Sequence, residues 1–294
     1  MPELPDLLYI QKYLQKHIVG RTVTGAEVKQ PVILRNALDR PLEEFMRGRR
    51  LDAVRLTAPF LSFQFDEEIE LVLNLMLAGR IQHQHPREKA EAYCCLTLLL
   101  DDGTRLNICD EQQMAKAYLV RRGAYSAIPR YERLGVSILS PEFTRSAFRE
   151  LAMRHARKQV RVMINDHTIL SSIGNAYADE ILFDAGIHPK TFVGKLTAGD
   201  LDRLYDSILS VMRWGIAEVE TASQPIHVKV RDHMKVRNRK GQPCPHCGTT
   251  IRREGVRGYD VFFCPTCQPA SRKVFIDWRK VREDRTKDEQ RKSP

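Results

Sequence analysis

Four cysteines constrain this chain more than any other feature. Cys244, Cys247, Cys264 and Cys267 stand in the order C-x2-C-x16-C-x2-C. Each C-P-x-C turn presents two thiols to one point, and four soft sulfur donors in a tetrahedron select zinc. A redox dithiol would need only one such pair. The spacer suits a β-hairpin in which "TTIRR" runs out, Glu254-Gly255 or Arg257-Gly258 turns, and "YDVFF" returns. The remaining cysteines, Cys94, Cys95 and Cys109, lack metal spacing. An odd total of 7 without a secretory leader argues against a disulfide framework, so these three read as small buried hydrophobes.

Charge singles out the same end of the chain. The 294 residues carry 47 Lys/Arg and 37 Asp/Glu, a net of +10. Residues 226–294 hold 18 basic and 8 acidic side chains, whereas residues 1–225 hold 29 of each. The whole excess is therefore gathered where it can face a polyanion, with a phosphate backbone as the expected partner and a solvated basic tail as the plainer reading. The basic run Lys229, Arg231, Lys235, Arg237, Arg239 and Lys240 leads into the cysteine unit, which adds Arg252, Arg253 and Arg257. A Lys/Arg-rich hairpin of this kind can lie along phosphates or enter a groove. No apolar run of membrane-spanning length exists; the densest stretch, 71–79, is broken by Asn74. The amino terminus lacks the basic and apolar regions of a signal peptide, so the expectation is a soluble cytoplasmic protein, nucleoid-associated if bacterial.

Periodicity divides the rest. Leu7, Ile10, Leu14 and Ile18 recur at helical spacing, with Asp6 as the expected cap and Gly20 as the stop. From Thr22 to about Val120, short runs such as "TVTGAEV", "RLDAVRL", "FLSFQF", "ELVLNLML", "YCCLTLLL" and "RLNI" predict a β-sandwich or barrel-like unit. Ser140-Pro141 is expected to open a helical region that continues to about Ile216. Residues 217–243 read as a polar, basic linker, and 281–294 as a charged tail.

Two further constellations carry chemistry. In "INDHTILSSIGNAYADEILFDAGIHP", one helix ends near Asp166 and another begins around Asn175. Gly174 permits close backbone approach, and the free N–H groups of the helix start, with the Asn175 amide, form a phosphate site. An ordinary helical hairpin is the plainer reading. At the terminus, removal of Met1 ahead of a small residue would expose the Pro2 amine, whose pKa of about 7.7–8 leaves a sizeable neutral fraction near neutral pH. A secondary amine attacks an aldehyde or sugar C1′ to give an iminium electron sink, and Glu3 stands beside it as a proton donor and acceptor. Taken alone, Pro2-Glu3 is also an ordinary chain start.

Together, "MPELPD", "IGNAYADEILFDAGIHP" and "MKVRNRKGQPCPHCG…FFCPTCQ" resemble the formamidopyrimidine-DNA glycosylase / endonuclease VIII family, in the family's order and across residues 1 to about 268. The resemblance implies an α+β multidomain fold. A β-sandwich with a leading helix would occupy 1–135, a helix-two-turns-helix α domain 136–222, a basic linker 223–240, a zinc-finger β-hairpin 241–270 and a charged tail 271–294. It implies DNA bound between the lobes, one structural zinc, no membrane and a monomer. It also implies base excision: Pro2 displaces the damaged base at C1′, Glu3 helps open the sugar ring, and the Schiff base permits elimination of the flanking phosphates. The nucleotide would be flipped out of the stack. Asn175 matches the family's phosphate-gripping asparagine.

The departures concern lesion and strand recognition. Pro59 stands where the family places a lysine, with Arg55 the nearest cation. The family's "DPRRFG" loop reads Asp110-Glu111-Gln112-Gln113-Met114-Ala115. Gln113 would then address the orphaned base while Met114 and Leu77 wedge the gap. Asp6 replaces a glutamate and Arg161 a lysine; Tyr259 takes the finger's expected arginine position, with Arg257 two residues earlier. An abasic site, which needs no base reading, tolerates these losses best, with oxidised purine as a guess from the family. The alternatives are a non-catalytic damaged-DNA-binding zinc protein of the same fold and a ribosome-associated zinc ribbon.

Overall fold

The computed structural model describes residues 2–270; the tail expected over 271–294 lies outside the described residues. The chain runs through α1 (Leu4–His17), β1 (Val23–Val28), β2 (Leu34–Asn36), α2 (Leu42–Met46), β3 (Leu51–Thr57), β4 (Phe60–Phe65), β5 (Ile69–Asn74), β6 (Arg80–Gln84), β7 (Cys94–Leu100), β8 (Arg105–Cys109) and β9 (Lys116–Arg121). After the two-residue strand β10 (Val136–Ser137) come α3 (Arg145–Arg154), α4 (Val160–Ile164), β11 (Leu170–Ser171), α5 (Asn175–Asp184) and α6 (Ala198–Ala222). The hairpin β12 (Arg252–Val256) and β13 (Tyr259–Phe263) closes the described chain.

The strands form a sandwich of a five-stranded sheet, β2-β9-β5-β4-β3, and a four-stranded sheet, β1-β7-β8-β6. Alternation puts Leu61, Phe63, Phe65, Leu71 and Leu73 of the first sheet into one core with Leu96, Leu98, Leu106 and Ile108 of the second. The apolar face of α1 (Leu7, Ile10, Leu14) joins that core, which continues through Tyr177, Ile181, Leu204 and Ile208 of the helical region. A smaller cluster of Phe60, Val72, Val120 and Ile128 covers the outer face of the five-stranded sheet.

Several boundaries differ from expectation for identifiable reasons. α1 begins at Leu4 with Glu3 as its cap, because Asp6, inside the first turn, accepts a 2.7 Å bond from the Glu3 N–H. Gly20, at φ +88°, lies beyond the helix end. The helix expected at Ser140-Pro141 starts at Arg145, where Thr144 accepts from the Ala147 N–H and Ser140 is occupied with a local turn. The sandwich strands β2, β6 and β9 are additions to the runs read from the sequence. β6 escapes a hydrophobic pattern because only Ile81 of its residues enters the apolar core, while its other face is buried through polar bonds: Asn107 donates to Gln82 at 3.0 Å and to Gln84 at 2.9 Å, and accepts from Thr97. The hairpin turns at Arg257-Gly258, both at positive φ, which settles the two turns left open by the sequence. Cys95 and Cys109 are buried as expected, whereas Cys94 is half-buried with its Sγ 2.8 Å from Cys109 Sγ.

Candidate active site and nucleic-acid interface

The site begins where α1 meets α5. Glu3 caps its own helix through the backbone, yet its carboxylate leaves that helix altogether. Oε1 accepts from the Ala176 N–H at 2.8 Å and Oε2 from the Tyr177 N–H at 3.1 Å. These are free donors of the first turn of α5, whose dipole favours a negative group there. Gly174 makes the approach possible, since a Cβ at that position would stand 2.3 Å from Glu3 Cδ. Glu3 and Pro2 are both buried. Burial pushes the Glu3 carboxyl above its ordinary range, with the Arg231 charge and the two amides pulling it partly back. On the other side of Glu3, its N–H is held by Asp6, whose two oxygens take the Arg231 guanidinium at 2.9 and 2.6 Å. A linker residue thus locks the amino-terminal turn in place.

The start of α5 carries a second network. Arg161 has only 2% of its surface exposed; Nε donates to Asp179 at 3.0 Å, and Nη2 donates to the Asn175 backbone oxygen at 3.2 Å and Oδ1 at 3.0 Å. Arg161 is therefore enclosed against the amide of Asn175, which is half-buried with its Nδ2 available as a donor. Arg237 completes the pair on Asp179 at 2.7 Å. Glu180, also buried, accepts the N–H groups of Lys235, Val236 and Arg237 at 2.9–3.0 Å. Sequence reasoning missed Asp179 and Glu180. The available signal was two adjacent acids inside an otherwise apolar helix, a pattern that requires buried partners. The same contacts narrow the basic run expected to face nucleic acid, because Arg231, Arg237 and Arg239 are engaged with Asp6, with Asp179, and with backbone oxygens of Met234 and Asp232.

The remaining sequence-selected residues are spread around this centre. Gln113, at φ +53°, is exposed on a loop anchored by buried Asp110, whose oxygens accept from the N–H of Gln112 and Ala115; Met114 beside it is half-buried. Leu77 is 46% exposed in the β5–β6 turn. Lys240 is exposed at the entry to the finger, and Arg257 is exposed at the hairpin tip. Arg55 is exposed but alternates with Val54 and Leu56, which face the core shared with α1. Its Nε donates to Gln64 at 2.9 Å, on the outer sheet face. Arg55 therefore does not reach toward Pro2 in place of a lysine at Pro59.

The four finger cysteines bring their Sγ atoms within 4.8 Å of one another. The distances Cys244–Cys267 at 3.8 Å and Cys247–Cys264 at 3.5 Å are close to the edge of about 3.8 Å that Zn–S bonds of about 2.3 Å give in a tetrahedron. The N–H groups of His246 and Cys267 point at Cys244 and Cys264 Sγ, each at 3.4 Å, which favours thiolates. The donor set fits one structural zinc. A small core of Val236, Ile251 and Phe262 seats the finger against Phe183 of α5.

Comparison with known proteins matches three family models in sequence order. They are the formamidopyrimidine-DNA glycosylase N-terminal domain over residues 1–117, its H2TH domain over 134–225, and the zinc finger found in FPG and IleRS over 241–270. The formamidopyrimidine-DNA glycosylase of Pelotomaculum thermopropionicum is 30% identical over 275 residues, covering 91% of this chain and 99% of the relative. The chain belongs to the formamidopyrimidine-DNA glycosylase family. The Symbiobacterium thermophilum glycosylase is also 30% identical, over 97% of this chain and 95% of its own. Among solved structures, MutM (Fpg) of Thermus thermophilus has a TM-score of 0.80 at 28% identity, covering 92% of this chain and 100% of that one. Lactococcus lactis Fpg, in complex with DNA containing an abasic site, has a TM-score of 0.82 at 22% identity over 91% of this chain and 100% of its own, a likeness of fold.

Proposed function

We propose that this chain is a base-excision glycosylase with abasic-site lyase activity, acting on DNA through a Schiff base at Pro2. Family membership supports the reaction class. The observation that carries the assignment of residues is the buried Glu3 carboxyl, held by two α5 amides directly beside Pro2. With Met1 removed, the neutral Pro2 amine attacks C1′; the N–C1′ bond forms as the bond to the base breaks, and the proton lost from nitrogen leaves with the departing base. Glu3, kept protonable by burial, gives its proton to O4′ as the ring opens to an iminium. Loss of the C2′ proton into that electron sink expels the 3′ phosphate, and a further elimination expels the 5′ one.

The remaining roles follow the geometry. Asn175 offers Nδ2 to a phosphate at the start of α5 while Arg161 holds its oxygen, so Arg161 acts behind Asn175 and Asp179 orients Arg161. Gln113, Met114 and Leu77 line the approach to the orphaned base, and Lys240 and Arg257 serve the finger's contact with DNA. The segments 1–135 and 136–222 are the sandwich and helical units, packed on one shared core, and 223–240 leads from them to the finger unit 241–270. Zinc holds the hairpin and supplies no chemistry to the reaction. No described helix is long and apolar enough to cross a membrane. We place the enzyme in the cytoplasm, as a monomer with one reacting cleft per chain.

The test is borohydride trapping on abasic-site duplex DNA, with removal of Met1 verified by mass. A covalent protein–DNA adduct is expected, lost or much weakened in Pro2→Gly, whose primary amine is the poorer nucleophile, and formed about 10²–10⁴-fold more slowly in Glu3→Gln. Bound DNA without adduct would overturn the catalytic reading in favour of the binder.

A further inference from the structure

The linker crosses the amino-terminal end of α1, where Asp6 holds Arg231. Two residues earlier, Lys229 turns toward the β5–β6 turn and its Nζ donates to the Leu77 backbone oxygen at 3.0 Å. Lys229 is half-buried, and among the described residues no carboxylate lies within ion-pair distance of it. Lys12, Lys158 and Lys190, by contrast, meet Glu220, Asp166 and Glu254. Among the described residues, the charges that face Lys229 are Asp6 from α1, Arg80 from β6 and Arg231 from its own segment. Asp6 is already committed to Arg231 and the Glu3 N–H, and Arg80 meets the half-exposed Glu91 at 3.6 Å. Burial accordingly pushes the Lys229 ammonium below the ordinary lysine range. A half-desolvated cation that donates to a neutral carbonyl, faces two arginines, and shares its one facing carboxylate, Asp6, with Arg231 is an incomplete site, and an anion completes it. The anion that arrives at the Pro2 end of α1 is the backbone of the nucleotide being processed.

We propose that Lys229 is a substrate-binding residue of the Pro2 site: its ammonium takes a phosphodiester flanking the reacting nucleotide, while the Leu77 carbonyl fixes its direction. The inference rests on the Pro2 reading above. It gives the site a cation that neither Pro59 nor Arg55 provides, and it ties the turn bearing Leu77 to the linker when DNA is bound.

The experiment uses the full-length zinc-loaded protein and a duplex containing a tetrahydrofuran abasic analogue, with affinity measured across a salt series. Lys229→Ala is expected to weaken binding about tenfold at low salt and to reduce the slope of log affinity against log salt by about 0.9, one phosphate contact. Lys229→Arg is expected to keep the slope. Zinc content and circular dichroism confirm that each variant is folded; if Lys229→Ala is not, Lys229→Met takes its place. An unchanged slope, with or without a loss of affinity, overturns the proposal, since a purely structural strut changes affinity without changing ion release. A wild-type protein that gives no borohydride adduct defeats the Pro2 reading instead, so the two failures are distinguishable.

Discussion

Gly174 shows how a single missing side chain sets up the reacting end of the molecule. Its Cα lies so close to Glu3 that the added methyl of Gly174→Ala meets the carboxyl carbon itself, at 2.3 Å. The carboxyl would then lose both α5 amides. Schiff-base trapping is expected to slow at least 10²-fold, with stability lowered by about 1–3 kcal/mol from overpacking. Adduct formation at the wild-type rate would show that Glu3 does not need those amides. The same residue sets a pH dependence. Burial raises the Glu3 pKa, so the protonated acid persists above the ordinary glutamate range and is lost as pH rises through the raised value. The ring-opening rate should therefore fall on that alkaline limb, and Glu3→Gln should abolish the limb in single-turnover pH profiles. Pro2, Glu3 and Asn175 were legible as residue types; that Glu3 is held by another domain's helix was not, because residues 3 and 176 have no local relation.

At the scale of elements, α5 is the hub. It receives Glu3 at its first turn, the linker amides on Glu180, Arg161 and Arg237 on Asp179, and the finger against Phe183. It packs on α6 at Gly215, where a Cβ would stand 2.2 Å from the Tyr177 ring. Alanine at 215 would add roughly 1 kcal/mol of helix propensity, but a buried aromatic ring with no room to move outweighs this. Gly215→Ala is expected to destabilise by about 1–3 kcal/mol in denaturant titration; a higher midpoint would mean that α5 can shift. The α5 start was readable from Gly-Asn before an apolar period. β6 was not, since one of its two faces is buried through the Thr97–Asn107–Gln82 bonds, and these exist only once β6 lies beside the β7–β8 pair.

Across the whole molecule, the finger and the sandwich are stabilised by different means. The sandwich rests on a large apolar core, whereas the finger has a handful of buried residues and its thiolate set. Structural zinc contributes on the order of 10–16 kcal/mol of binding free energy to such a unit. Chelation or Cys264→Ser should therefore unfold the hairpin and weaken duplex binding, while a separate calorimetric transition for the sandwich remains. Unchanged DNA affinity after zinc loss would remove the hairpin from the interface.

The C-x2-C-x16-C-x2-C spacing, the period-two runs and the Gly-Asn helix start were determined by the sequence itself, because each depends on neighbours a few residues apart. Which arginines remain available to DNA was decided only by the tertiary structure. Net charge counts Arg161, Arg231 and Arg237 with Arg257 and Lys240, yet the first three are drawn to buried carboxylates on α1 and α5 while the last two stay in water. A charge belongs to whichever partner the fold brings within a few ångströms, and at that distance burial and pairing outweigh any sum taken along the chain.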